Sequence, residues 1–302
     1  MYQGKILKVF KGWGAKFANG VFWVVGNLPL SAIQYLGRFV GALMFRLPGS
    51  YKRRAQVNLQ IAMPGAGDKQ LAACLRHVAT LFLEMPYWWS ARDSQRHIEA
   101  QAKKHDWTEI DQALSKGKGM ILVSPHVGNF ELLAPVFSRR HPATVLFRVP
   151  RIRWLRDWLL ALRNRGQLRL VPADIAGVRA LAKTLKSKQT IGLLPDQVPI
   201  EGEGVWAPFF GKPAYTTTLV RRLQKLTDAP VVVLCAYRLS EGRGFEIKHW
   251  MVDETWPDDD VLAATKLNQA LELAILHEPT QYLWGYDRFR APRARPAKTR
   301  KD

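Results

Sequence analysis

The 302-residue chain contains 45 lysine and arginine residues and 25 aspartate and glutamate residues, which gives a formal net charge of +20. A chain of this length can bury one large core, and no internal repeat or linker divides it into two domains. Its two cysteines, Cys74 and Cys235, lie far apart within apolar stretches and lack metal-ligand spacing. We therefore expect one α/β unit with buried, reduced thiols and no cysteine-based metal site.

The N-terminal segment is basic and contains no acidic residue before Asp68. An uncharged stretch rich in Phe, Trp, Val and Leu lies between Lys16 and Arg38 and is long enough to reach across a bilayer. Pro29 interrupts this stretch, so a kinked anchor and an amphipathic hairpin in the membrane plane are both consistent with it. We predict that residues 1–50 anchor the protein to a membrane through interfacial or spanning helices.

The basic charge of this segment indicates the kind of partner. Lys and Arg beside apolar surface are attracted to anionic lipids, each contributing about 1 kcal/mol near the surface. The same charge would also suit nucleic acid phosphates. The aromatic residues here, however, lie in an apolar stretch and not on a polar platform for stacking bases. We therefore favour an anionic membrane and expect no nucleic acid partner.

Two helices are predicted after the anchor. Residues 51–62 have the pattern of a basic helix, which Pro64 and Gly65 end. Asp68 is a candidate cap for the next helix, whose apolar residues recur at helical spacing as far as Met85. We interpret the apolar stripe of this second helix as packing into the core.

Strands and helices alternate through the rest of the chain. Strands are predicted at 120–123, 144–147, 190–194 and 230–237, and helices at 131–138, 153–165, 175–187 and 214–227. This alternation is typical of an α/β fold with a mixed, mostly parallel sheet flanked by helices. We expect this domain to span residues 51–292, followed by a basic disordered tail at 293–302.

The run Ser124-Pro125-His126-Val127-Gly128-Asn129-Phe130-Glu131 follows the first of these strands. Five residues turn a helix by about 500°, so His126 and Glu131 cannot share a helix face. With His126 on a loop and Glu131 in the first turn of the next helix, the carboxylate can bend back to the imidazole. It would then fix the ring's tautomer and stabilise the imidazolium of a general base. An ordinary loop histidine and helix-start acid are the alternative reading.

Other residues near the expected strand ends suggest a substrate site. Gly128 lets the backbone approach a substrate, and the N–H groups of Asn129 and Phe130 at a helix start suit a developing negative charge. Arg148 and Asp196 follow two other predicted strands, so we expect them at the same sheet edge, where ligands bind in such folds. Arg148 is suited to phosphate or to a structural ion pair, and Asp196 to a site role or to a turn cap.

These features resemble the H-x4-D/E lysophospholipid-type acyltransferases and, within them, the late acyltransferases of lipid A biosynthesis. The resemblance covers about residues 28 to 293. Besides the H-x4-E motif, it rests on Val145-Leu146-Phe147-Arg148-Val149-Pro150, Arg163-Asn164-Arg165-Gly166, Gly192-Leu193-Leu194-Pro195-Asp196-Gln197, Ala207-Pro208-Phe209-Phe210-Gly211 with Thr216-Thr217-Thr218, and Glu278-Pro279-Thr280-Gln281-Tyr282-Leu283-Trp284 before Arg288-Phe289.

The resemblance implies an enzyme on the cytoplasmic face of the inner membrane. It would move a fatty acyl group from acyl carrier protein or coenzyme A to a hydroxyl of a lipid A precursor, without a metal or other cofactor. His126 is the expected general base, and Glu131 is expected to orient and stabilise it. The expected substrate-binding residues are Gly128, Asn129, Arg148, Arg163, Arg165 and Asp196.

Two alternatives stay open at this point. The first is the same chemistry on another acceptor, such as a lysophospholipid, an ornithine lipid or another glycolipid. The second is a non-catalytic basic protein that binds membranes or nucleic acid.

Overall fold

A computed structural model describes residues 20, 23–90, 92–147, 167–240 and 243–294. The helices within these ranges are α1 (Leu30–Arg46), α2 (Ser50–Ala62), α3 (Asp68–Ser90), α4 (Arg92–Lys104), α5 (Thr108–Ser115), α6 (Phe130–Phe137), α7 (Ile175–Lys186), α8 (Leu219–Gln224) and α9 (Asp260–His277), and a 3-10 turn covers Pro279–Gln281. The strands are β1 (Met120–Val123), β2 (Ala143–Phe147), β3 (Leu168–Pro172), β4 (Thr190–Leu193), β5 (Gly204–Phe209), β6 (Lys212–Thr217), β7 (Val231–Arg238) and β8 (Phe245–Val252).

The centre of the fold is a six-stranded sheet in the order β3-β2-β4-β1-β7-β8. The pairs from β3 to β7 are parallel, and β8 pairs antiparallel with β7. Strands β1, β4 and β7 are buried along their whole length. Such continuous apolar runs are typical of strands covered by helices on both faces. The predicted α/β class with a mixed, mostly parallel sheet is confirmed.

Alternate residues of the central strands supply two separate cores, one on each face of the sheet. Ile121 and Val123 of β1 belong to one cluster, together with residues of α2, α3, α7 and α9. Met120 and Leu122 belong to the other, which includes residues of α5 and α6. This division follows from the two-residue period of a strand, which sends successive side chains to opposite faces.

The predicted strands and most predicted helices are present to within about one residue at their ends. The helix predicted at 214–227 was wrong at its start, because residues to Thr217 form β6, which pairs antiparallel with β5. Tyr215 and the β-branched Thr216 and Thr217 favour the strand there, because aromatic and β-branched side chains fit a pleated sheet. Strands β3, β5, β6 and β8 were not predicted, and the helix predicted at 153–165 lies outside the described residues.

Helix α1 packs closely on α3. Gly37 and Gly41 make this possible, since a Cβ atom at either position would lie 2.4 Å or 2.3 Å from the Cα of Thr80 or Arg76. The opposite side of α1 is an exposed apolar face formed by Tyr35, Leu36, Phe39 and Leu43. No helix in the described part of the chain is long and apolar enough to cross a membrane. Most of the stretch predicted to reach across a bilayer precedes α1, and residues 1–19 and 21–22 lie outside the described residues.

Candidate active site

The loop between β1 and α6 carries His126, and the loop after β4 carries Asp196 and Gln197. Because β1 and β4 are neighbouring parallel strands, their carboxyl ends bring the two loops together. The predicted convergence of His126 and Asp196 on one sheet edge is confirmed. Arg148, Arg163 and Arg165 lie outside the described residues.

His126 and Asp196 form a buried pair with two hydrogen bonds. The Nδ1 atom of His126 lies 2.7 Å from Oδ1 of Asp196, and the backbone N–H of His126 donates to Oδ2 at 2.8 Å. Asp196 is 1% exposed, so both of its oxygens act inside the protein. An ionised carboxylate can only accept hydrogen bonds, and it therefore holds the imidazole with its proton on Nδ1. The tautomer-fixing contact that the sequence assigned to Glu131 is made by Asp196.

The pair shifts the pKa values of both partners in opposite directions. Burial alone would lower the pKa of His126, but the charge and hydrogen bond of Asp196 and the charge of Glu131 raise it above its ordinary value. Burial would raise the pKa of Asp196, but the charge and hydrogen bonds of His126 and the charge of Arg288 lower it. The site therefore stabilises an imidazolium beside a carboxylate.

Two residues near the end of the chain complete the surroundings of Asp196. The hydroxyl of Tyr282 forms a hydrogen bond with Asp196, and burial keeps the pKa of Tyr282 well above 10, so this hydroxyl is neutral. Arg288 is 2% exposed and donates to the carbonyl of Tyr215 at 2.8 Å and to Oγ1 of Thr216 at 2.7 Å. Its guanidinium is also one of the charges that lower the pKa of Asp196. Together with His126, Arg288 keeps Asp196 ionised.

The other ring nitrogen of His126 faces the side-chain amide of Gln197. The two Nε2 atoms are 3.1 Å apart. Since Asp196 holds the ring proton on Nδ1, the Nε2 atom carries a lone pair, and the amide of Gln197 donates to it. Nε2 is thus the ring nitrogen that accepts a hydrogen bond, and the amide of Gln197 lies against it.

Glu131 lies in the first turn of α6, as predicted. Its Oε2 atom accepts a hydrogen bond from the indole N–H of Trp89 at 3.2 Å. Its charge is among the causes that raise the pKa of His126, after the charge and hydrogen bond of Asp196. In this geometry Glu131 acts on the imidazole through its charge.

Gly128 and Asn129 have a different environment from the one predicted. The N–H of Gly128 donates to the carbonyl of Gln281 at 3.0 Å, and that of Asn129 donates to the carbonyl of Ala236 at 2.8 Å. Gly128 has φ +60°, and a Cβ atom there would lie 2.0 Å from the oxygen of Ala236. Glycine is therefore required for packing against β7. Both N–H groups are used within the fold, so the prediction that the N–H of Asn129 is unpaired and available to a substrate oxyanion was wrong.

The candidate nucleophiles Ser124, Cys74 and Cys235 are all buried. Ser124 is buried, and its hydroxyl donates to the carbonyl of Pro125 at 3.0 Å. Both cysteines are free and buried, as predicted. Burial raises the pKa of Cys74 and of Cys235 to about 12, so both remain thiols at neutral pH. Among the described residues, no cluster of His, Cys, Asp or Glu is arranged to hold a metal ion.

Three contact residues of this site were missed from sequence: Gln197, Tyr282 and Trp89. Gln197 directly follows Asp196 in the sequence, so it could have been predicted to lie near the same site. Tyr282 appeared only within the run from Glu278 to Trp284, with no role assigned to it. It reaches the site because Val127 and Tyr282 form an isolated antiparallel bridge, a pairing that crosses most of the domain sequence.

Comparison with known proteins identifies the family to which this site belongs. Residues 3–291 match the family described as bacterial lipid A biosynthesis acyltransferase. The chain is 27% identical to a lipid A biosynthesis lauroyltransferase of Escherichia coli K12 over 92% of each chain. It is 25% identical to a lipid A biosynthesis palmitoleoyltransferase of the same organism over 92% of this chain and 91% of the other. A lipid A biosynthesis acyltransferase of Haemophilus influenzae is 27% identical over 87% and 86%. The chain therefore belongs to the bacterial lipid A biosynthesis acyltransferase family.

Proposed function

We propose that this protein transfers a fatty acyl group from a carrier thioester to a hydroxyl of a lipid A precursor, with His126 as the general base. The observation that carries the proposal is the hydrogen bond between Nδ1 of His126 and the buried carboxylate of Asp196. It leaves Nε2 as a basic atom at the carboxyl end of the sheet, where substrates bind in folds of this class.

The reaction needs one proton acceptor and no covalent enzyme intermediate. Nε2 of His126 takes the proton of the acceptor hydroxyl as its oxygen attacks the thioester carbonyl carbon. The carbon–sulfur bond then breaks, and the imidazolium returns the proton to the leaving thiolate. The negative charges of Asp196 and Glu131 stabilise the imidazolium between these steps, which is the same effect that raises the pKa of His126.

Gln197 is the donor placed next to the reacting nitrogen. In the resting site its amide donates to Nε2 of His126. An acceptor hydroxyl that binds to Nε2 displaces this contact, and the released amide then donates to the oxygen that gains negative charge at the reacting carbonyl. Gln197 thus takes the role that the sequence had assigned to N–H groups at the start of α6.

The acyl donor is acyl carrier protein or coenzyme A, and the protein acts at the cytoplasmic face of the inner membrane. The exposed apolar face of α1 supports membrane binding, because Tyr35, Phe39 and Leu43 lie on it, and Arg38 and Arg46 are exposed on the same helix. A helix with this pattern lies in the interface with its apolar side toward the acyl chains. Arg148, Arg163 and Arg165 are proposed to contact the acidic head group of the acceptor, since guanidinium groups bind phosphate in a bidentate manner.

The test is acyl transfer by the purified full-length protein in detergent. Acyl carrier protein and coenzyme A thioesters serve as donors, and a lipid A precursor, a lysophospholipid and an ornithine lipid serve as acceptors. We expect transfer to the lipid A precursor and a loss of about 10²–10⁴-fold in His126→Ala. His141→Ala is the matched control, because His141 also pairs with a carboxylate, that of Asp111 at 2.6 Å, beyond the opposite end of α6.

The outcomes separate the alternatives. Transfer only to a lysophospholipid or ornithine lipid would replace the acceptor assignment and keep the chemistry. Wild-type turnover by folded His126→Ala would rule out the general base. No transfer to any acceptor, with binding to anionic vesicles or nucleic acid retained, would favour a binding protein.

A further inference from the structure

A buried carboxylate outside the reacting centre connects four parts of the chain. Glu84 of α3 is fully buried and accepts four hydrogen bonds. Arg238, at the end of β7, donates to it through Nε at 2.9 Å and Nη2 at 2.5 Å. Gln34 of α1 donates from its amide to Oε1 at 2.8 Å. Asn129 belongs to the loop between β1 and α6, residues 124–129, which we call the catalytic loop, and its amide donates to Oε2 at 2.9 Å.

The charges within this cluster are balanced. The Glu84 carboxylate is paired with the Arg238 guanidinium, and their side chains are 0% and 5% exposed. Arg238 also contacts Nδ1 of His77 at 3.1 Å. Burial, with the charges of Arg238 and Arg38, lowers the pKa of His77 to about 3, so this imidazole is neutral and accepts the hydrogen bond. Glu84 is therefore a fixed acceptor for the two amides.

A second route joins the same ion pair to the catalytic loop. The N–H and the carbonyl of Arg238 bond to the side-chain amide of Gln281 at 2.8 Å and 2.9 Å. The carbonyl of Gln281 then accepts the N–H of Gly128 at 3.0 Å. The loop that follows His126 is thus held by Glu84 through the side chain of Asn129 and by Gln281 through the backbone N–H of Gly128.

The contacts of Asn129 indicate that this residue serves the loop through Glu84. Asn129 occupies the position before helix α6, yet its side chain forms no capping hydrogen bond to the helix. The side chain is 0% exposed, and no described protein group pairs with its Oδ1 atom. Capping and contact with solvent therefore do not account for this side chain, whereas its bond to Glu84 does. Five residues further along α3, Trp89 bonds to Glu131, so α3 contacts both the loop and the first turn of the helix that follows it.

We propose that Glu84 and Asn129 are positioning residues that set the place of His126 against Asp196 by fixing the loop between β1 and α6. This inference rests on the proposed function for its kinetic consequence. The distance between His126 and Asp196 can be tested independently of turnover.

Gln34 offers a matched control for Asn129. Each residue donates one amide hydrogen bond to a different oxygen of Glu84, at 2.8 Å and 2.9 Å. Each is almost fully buried, and neither carbonyl oxygen is paired with a described protein group. Only Asn129 belongs to the catalytic loop. If the cluster serves stability alone, Gln34→Ala and Asn129→Ala should have the same effects.

The experiment measures kcat, the KM of each substrate, the midpoint of thermal unfolding and the pKa of His126 by histidine NMR for the full-length protein. We expect comparable losses of thermal stability in Gln34→Ala and Asn129→Ala. Only Asn129→Ala should lower kcat, by up to about 10²-fold as for a misplacement of 1 Å, with both KM values kept. The pKa of His126 should fall toward its ordinary value in that variant, because the ring moves away from Asp196.

A second variant covers the case in which Asn129→Ala does not fold. Asn129→Ser cannot reach Glu84, but serine is favoured as a helix N-cap and supports the start of α6. It should show the same loss of kcat and the same fall in the pKa of His126. An unchanged pKa and kcat in either folded Asn129 variant, or equal changes in Gln34→Ala, would overturn the positioning role. A wild-type protein without transferase activity whose His126 pKa still responds only to Asn129 would instead refute the proposed function.

Discussion

Replacing Asp196 by asparagine should disable the general base by reversing its tautomer. Asp196 uses one oxygen for the backbone N–H of His126 and the other for Nδ1, at 2.8 Å and 2.7 Å. Asparagine has one oxygen, and the backbone N–H can only donate, so that oxygen stays with the backbone. The amide NH₂ then faces Nδ1, which must give up its proton to Nε2. We expect kcat to fall by about 10⁴-fold, as in a triad with the wrong tautomer, which corresponds to about 5 kcal/mol of transition-state stabilisation.

The pH profile of the same variant provides a second readout. A general base must be neutral, so activity rises with pH through the pKa of His126. Since Asp196 and Glu131 raise that pKa, the rising limb of the wild type should lie above about 6.5, the ordinary histidine value. Asp196→Asn removes the larger of these two charge effects, so its residual activity should rise at a lower pH. Steady-state rates between about pH 5 and pH 9 measure both midpoints.

The pair should also make folding stability depend on pH, with a sign that can be stated. The pKa of His126 is raised, so its contribution is present below the unfolded value and is lost as pH rises through the folded value. The pKa of Asp196 is lowered, so its contribution is lost as pH falls through the folded value. The unfolding free energy of wild type minus that of Asp196→Asn should therefore be largest between these two pKa values.

Asp111→Asn is the control for this experiment. Asp111 bonds to Nε2 of His141 at 2.6 Å and pairs with Arg140. The substitution therefore removes a histidine–carboxylate contact of the same kind, but one that lies away from the sheet edge. Its kcat and pH midpoint should match the wild type. A folded Asp196→Asn protein with the kcat and rising limb of Asp111→Asn would refute the claim that Asp196 fixes and charges the general base.

Three other substitutions test separate parts of the site and its surroundings. Gln197→Ala should lower kcat by about 10²–10³-fold if its amide stabilises the oxyanion, and a rate equal to wild type would remove it from the mechanism. Arg148→Ala should raise the KM of the acceptor while hydrolysis of the acyl donor persists, and full rescue by Arg148→Lys would argue against bidentate contact with an acidic group. Phe39→Ser with Leu43→Ser should weaken sedimentation with anionic vesicles, and unchanged sedimentation would exclude the α1 face as a membrane contact.

The sheet could be predicted because its central strands are short apolar runs. Met120–Val123 and Thr190–Leu193 are buried on both faces, and the polar residues Ser124 and Asp196 follow them within three residues. Strand β8 escaped prediction because its burial alternates irregularly and His249 and Lys248 interrupt the apolar pattern. Strands β5 and β6 form a separate antiparallel pair, which the pattern of alternating strands and helices does not anticipate.

The motif predicted that His126 lies on the loop after β1 but not which carboxylate bonds to its ring. Glu131 is close to His126 in sequence, so local spacing favoured it. Asp196 reaches Nδ1 because β4 lies beside β1, and strand order is a long-range property that one sequence pattern does not specify. Glu84 was not predicted for the same reason. It lies within an apolar helix, and its hydrogen-bond partners come from α1, β7 and the catalytic loop.

Helix α1 has two faces that can be tested separately. Gln34 points inward to Glu84, whereas Phe39 and Leu43 are exposed on the opposite side. Removing outward apolar groups leaves the inward hydrogen bond and the close packing of α1 on α3 in place. Membrane attachment should therefore be lost without a change in the pKa of His126. If substitutions at Phe39 and Leu43 alone changed that pKa, membrane contact by α1 would have to affect the loop that carries His126, through the hydrogen bond between Gln34 and Glu84.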